Sequence, residues 1–123
     1  MVTLDTNAVI YFLKKDASAE VVLKGLLEKA VVLYVPTVVE LELFSLPTLT
    51  VQEALETDLF LRTVVLVPLN SELARLAGEL RRNDHLKTPD SIIAATALFT
   101  NSTLLTRNTK DFKRIPELIL QLV

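Results

Sequence analysis

Cysteine is absent from the 123-residue chain, which excludes disulfides and thiolate metal sites and fits a cytoplasmic protein. Glycine occurs only at Gly25 and Gly78, both inside helix-like stretches. A glycine-rich phosphate loop is therefore excluded, and no Gly-x-x-x-x-Gly-Lys run is present. His85 is the only histidine, lies outside any His-rich metal pattern, and reads as a loop residue. The net charge is −2, so no overall basic field advertises nucleic acid, and such binding would need a local patch. No apolar run approaches the ~20 residues of a membrane helix. The first residues lack a basic region followed by a long apolar run, so no signal peptide is expected.

Apolar residues are plentiful: they make up 50% of the chain, with a mean hydropathy of +0.42. The length suits one domain, residues 1–123, with a sizeable core. Apolar surface left over after folding would suit a homodimer or a protein partner. The stretch Thr50–Arg62 is the candidate, since Val51, Leu55, Leu59 and Phe60 exceed what one core face usually holds.

Strands and helices alternate. Val2–Leu4, Val31–Val35, Val64–Val67 and Thr103–Thr106 read as buried parallel strands, and Leu118–Val123 as a short edge strand. Helices are expected over Thr6–Leu13 with Thr6 as N-cap, and from Ser18 as N-cap to about Lys29. A third opens at Pro36-Thr37 and stops before Pro47. Thr50-x-x-Glu53 is a capping box for a fourth, ending near Arg62. Asn70 caps a fifth, through about Asn83, and Thr88-Pro89 opens a sixth, to about Thr100. Such alternation implies a parallel sheet covered on both faces, with ligands beyond the carboxyl ends of the strands.

Acids recur at those ends. Asp5 follows the first strand, where it is either a cation ligand or the cap of the next helix. Glu40 and Glu42, in TVVELELF, lie on the first turns of the third helix. Two residues apart, they point to nearly opposite sides, and the pattern does not choose between them. Asp90 is in the first turn of PDSIIAATAL, where an acid also simply stabilises the helix. In LLTRNTKDFKRI the last strand runs into Thr106, Arg107 and Asn108, then Asp111. That segment offers a further ligand in Asp111 or Asn108, or only a polar turn anchored by Phe112. Crowded carboxylates stay ionised only if a cation neutralises them, and Mg²⁺ and Mn²⁺ prefer oxygen ligands. A cluster of this kind suits metal-assisted phosphodiester hydrolysis.

LDTN, the acid in VVELEL, DSIIAATAL and LLTRNTKDF together resemble the PIN-domain family, and in particular its VapC-type toxins. The likeness covers essentially the whole chain. It implies a three-layer α/β/α sandwich with a central parallel sheet. It also implies a Mg²⁺- or Mn²⁺-dependent endoribonuclease, the toxin of a type II toxin–antitoxin pair, frequent homodimers and a cognate antitoxin that blocks the site. Carried over by position, Asp5 matches the first acid, Glu42 the second and Asp90 the third. Glu42 is preferred to Glu40 because that acid usually lies six residues past a Pro such as Pro36. The chain departs at the fourth acid: many relatives carry Asp near Asn108, whereas here the nearest acid is Asp111. Asp5, Glu42, Asp90 and Asp111 are thus the candidate catalytic and metal-binding residues. Thr6, Asn7, Thr106 and Asn108 are candidate supporting polar groups.

Basic groups cluster in ARLAGELRRNDHLK and after the last strand, and Arg82, Lys87, Arg107 and Lys110 are the candidate RNA contacts. Two rival readings remain. A catalytically degraded PIN-fold binding module would not need three intact acids. A haloacid-dehalogenase-type enzyme wants a second Asp two residues after the first, where Asn7 stands.

Overall fold

The computed structural model describes all 123 residues. Five parallel strands form one sheet: β1 (Val2–Leu4), β2 (Leu33–Pro36), β3 (Val65–Val67), β4 (Thr103–Thr106) and β5 (Leu120–Leu122). Their order across the sheet is β3-β2-β1-β4-β5. Seven helices intervene: α1 (Thr6–Leu13), α2 (Ala17–Glu28), α3 (Thr37–Phe44), α4 (Val51–Leu61), α5 (Ser71–Asp84), α6 (Thr88–Phe99) and α7 (Thr109–Phe112). The chain moves one way across the sheet through α1–α4 and the other way through α5–α7. Right-handed crossovers therefore place the two groups of helices on opposite faces, which gives the three layers expected. No helix is long and apolar enough to cross a membrane.

The order reverses beside β1, whose neighbours are β2 on one side and β4 on the other. A crevice beyond the carboxyl ends of the strands opens at such a reversal. Leu4 pairs with Leu105 in the β1–β4 register. Asp5 and Thr106, the next residues, therefore leave the sheet side by side.

Local sequence accounts for most element ends. Thr50 and Glu53 form a reciprocal capping box on α4, and Asn70 caps α5 through its side chain. Gly25 and Gly78 both lie inside helices, α2 and α5. Two expected caps are displaced by the acid upstream. Asp5, not Thr6, caps α1, and Asp16, not Ser18, caps α2. Each carboxylate accepts a backbone N–H three residues on.

The strand expected over Val31–Val35 begins later, at Leu33. The Val64–Val67 segment is a strand, but an exposed one: β3 is a sheet edge, with Val65 48% accessible. A short apolar run fits a buried strand and an edge strand equally well. Val51, Leu55 and Leu59 are exposed on α4, as expected, but Phe60 is core and packs on Phe12 with ring centroids 5.4 Å apart. The core is one cluster of 27 residues. It includes Leu4, Leu104, Leu105 and the apolar body of α6, from Ile92 to Ala97. Packed on the sheet in this way, α6 holds its first turn, and Asp90, in a fixed place.

Candidate active site

An open cleft of about 510 Å³ lies beyond the carboxyl ends of β1, β2 and β4. It brings together Asp5, Thr6 and Asn7 at the start of α1, Leu41, Glu42 and Ser45 from α3 and its end, Asp90 from α6, and Asn108 after β4. Three acids from distant parts of the chain thus share one cavity. Glu42 lines it and Glu40 does not.

Asp5 is nearly inaccessible, at 4%. Its Oδ1 accepts the Ala8 N–H at 2.8 Å and its Oδ2 accepts the Thr106 hydroxyl at 2.5 Å. Thr106 Oγ1 in turn accepts the Asn108 N–H at 2.9 Å. This chain of bonds clamps the end of β1 to the loop after β4. Asp5 caps α1 and also lines the cleft. The Thr6 hydroxyl, released from capping, donates to Glu42 Oε1 at 2.5 Å and links α1 to α3. Asn7 lines the cleft beside it.

Burial pushes the Asp5 carboxyl above its ordinary value, and the Glu42 charge adds to this, against the Thr106 and Ala8 hydrogen bonds. Asp90 is also pushed up, first by burial and then by Asp111, Asp5 and Glu42, with Lys87 opposing. Burial and neighbouring carboxylates thus disfavour the charged forms of Asp5 and Asp90, and Lys87 offsets this only in part at Asp90. Oxygen donors in that state suit a hard divalent ion. No three His, Asp or Glu side chains converge tightly enough to coordinate an ion unaided. An ion among these donors would take the rest of its coordination from water.

Asp111 stands apart. It does not line the cleft but a neighbouring cavity that also includes Asp90, and it pairs with Arg114 at 3.5 Å. Asn108, not Asp111, occupies the cleft position after β4. Arg107 is not a free phosphate-binding group. Its Nη2 pairs with Asp16, its Nε donates to the Val123 carbonyl at 2.8 Å, and its guanidinium lies 3.9 Å over the Tyr11 ring. The Ala19 N–H and the Arg107 guanidinium hold the Asp16 carboxyl below its usual range. Sequence reading did not find this Tyr11–Asp16–Arg107 tether, because its members lie up to 96 residues apart (11 to 107) and none is unusual alone. Arg82, Lys87 and Lys110 are exposed.

A family model described as PIN domain matches residues 2–118. The chain belongs to the PIN-domain family. A PIN relative, Ribonuclease VapC2 of Rickettsia felis, is 32% identical over 126 residues, covering 96% of this chain and 94% of the relative. VapBC2 from Rickettsia felis, solved bound to a DNA fragment from its promoter, contains a chain of similar fold. The TM-score is 0.85 with 29% identity, over 100% of this chain and 99% of that one. A toxin–antitoxin complex from Klebsiella pneumoniae superimposes with a TM-score of 0.81 and 27% identity, covering 97% and 96% of the two chains.

The raised carboxyls of this PIN cleft have a consequence for stability. A carboxyl whose folded pKa lies above its unfolded value favours folding at low pH. That benefit is lost as pH rises from about 4 through the folded pKa. Asp16 and Glu53 are shifted the other way, so the whole profile sums opposing groups. The difference between wild type and Asp90→Asn isolates the cleft. In EDTA the variant should gain melting temperature relative to wild type as pH rises through that window. Melting curves across pH check this, and a difference that stays flat would show that Asp90 carries no burial penalty.

Proposed function

We propose that this PIN-domain chain is a Mg²⁺- or Mn²⁺-dependent endoribonuclease, the toxin of a toxin–antitoxin pair. The observation that carries the reading is the meeting of Asp5, Glu42 and Asp90 in one cleft at the sheet's reversal point. The named ribonuclease and toxin–antitoxin relatives support it.

Asp5 and Asp90 would hold the ion, with Glu42 close by. A divalent ion held there supplies positive charge to a phosphodiester and acidifies water. The rest falls to the chain's own groups. The clamp from Asn108 through Thr106 fixes Asp5 in direction and partly offsets the burial that pushes its carboxyl up. Thr6 holds Glu42 toward the cleft, where its carboxylate can orient a water and accept its proton. Ile10, Leu41 and Ile93 give the open cavity part of its apolar wall. The exposed Val51, Leu55 and Leu59 of α4 fit homodimer formation or capture by a cognate antitoxin.

Purified protein should cut single-stranded RNA with Mg²⁺ or Mn²⁺ and stop in EDTA. A chain that leaves RNA intact with either ion, although folded and antitoxin-free, would refute the reading and favour the binding-module alternative.

The ion count is a further part of the proposal. Asn108 is neutral, so the cleft carries one less charge than a four-acid site, and a second ion would be held weakly. Calorimetric titration with Mn²⁺ should find one well-occupied site in wild type and a strengthened second site in Asn108→Asp. Asp111 would serve that second ion or its waters. Two tight sites in wild type, both unchanged by Asp111→Asn, would misplace the second metal.

A further inference from the structure

The catalytic cleft contains no Lys, Arg or His among its lining residues. A polyanion entering it therefore meets no fixed cation at the reacting centre. The cations stand one step away. A second cavity, of about 180 Å³, is lined by His85, Leu86, Lys87, Asp90, Asp111 and Arg114. Asp90 lines both cavities, so they meet at that side chain.

The lining combines both signs: Asp90 and Asp111 are acidic, and the exposed His85, Lys87 and Arg114 supply nitrogen donors. His85 and Lys87 have no carboxylate partner, and Arg114 has only the Asp111 contact at 3.5 Å. That pair is loose and solvent-exposed, so a better anion displaces it at little cost. His85 ends α5 with φ 57, in the left-handed region where Gly is favoured and which Lys15, Ala30 and Asn101 also adopt.

The geometry points to this cavity as the subsite for a non-scissile phosphate of the RNA strand, held by Lys87, Arg114 and His85 beside the cleft. The proposal rests on the ribonuclease reading, and it gives the substrate a direction: the strand passes from the cleft, over Asp90, toward the end of α5.

Binding and cleavage test it separately. Binding of a fluorescent single-stranded RNA to the Asp5→Asn protein should weaken about tenfold with Lys87→Gln or Arg114→Gln added. The slope of log affinity against log salt should fall by about 0.7 for each contact removed. A merely structural side chain would not change that slope. His85→Gly should raise the melting temperature yet still weaken RNA binding. In the otherwise wild-type protein, Lys87→Gln should lower kcat/KM far more on an oligoribonucleotide than on a dinucleoside monophosphate, which has no flanking phosphate. An unchanged salt slope, or equal losses on long and short substrates, would overturn the subsite. Wild-type protein that cuts no RNA but shows the slope change would refute the ribonuclease reading and leave the phosphate site standing.

Discussion

Asp5→Asn is expected to lower RNA cleavage by on the order of 10³-fold while leaving the fold intact. The charge is what the chemistry needs, and the oxygen is what the helix needs. Asn caps a helix about as well as Asp, so its Oδ1 can keep the Ala8 N–H. The amide nitrogen replaces Oδ2 and donates to Thr106 Oγ1, reversing that bond. Thr106 already accepts the Asn108 N–H, and a hydroxyl oxygen has lone pairs for both. Loss of one negative charge relieves repulsion with Glu42 and Asp90. Melting should be at or above wild type in EDTA, with no gain on adding Mg²⁺. Asp5→Ala is the contrasting control: it should lose activity and also about 1 kcal/mol of cap. Undiminished cleavage by a well-folded Asp5→Asn protein would remove Asp5 from the chemistry.

Glu42→Gln should cost about a hundredfold in activity, whereas Glu40→Gln should remain near wild type. Both lie on α3, two residues apart, but only Glu42 lines the cleft and accepts the Thr6 hydroxyl. Gln keeps an oxygen for Thr6, so the variant loses charge rather than the bridge between α1 and α3. Steady-state kinetics on one RNA compares the pair directly. Greater damage from Glu40→Gln would mean that the opposite face of α3 serves the reaction.

Much of this architecture was legible in local pattern. The Thr50–Glu53 box, Asn70 and Thr88-Pro89 place three helix starts without tertiary help, because their hydrogen bonds or backbone angles are local. Asp5, Asp90 and Thr106 were legible as residues at strand or helix ends, where an α/β sheet gathers its ligands. Other features depend on what lies opposite. Thr6 and Ser18 are good caps, but an upstream Asp takes each role, and Thr6 then turns to a partner 36 residues away. The Val65–Val67 strand looks buried because an apolar run carries no mark of its place in the sheet order. Glu40 and Glu42 both have apolar helix neighbours, so only the family position, and then the cleft, separated them. Arg107 reads as a phosphate contact until Asp16 and Tyr11 are placed around it.

The cap at Asp5 also bears on how the chain would age without selection for chemistry. Folding asks position 5 only for a short side chain bearing an oxygen, and Asn, Ser and Thr meet that demand. A lineage freed from cutting RNA would drift among those residues and keep its first helix intact. Silent descendants would then look healthy by stability, expression and fold. Their lapse would be written in one lost charge, at a residue that still caps its helix.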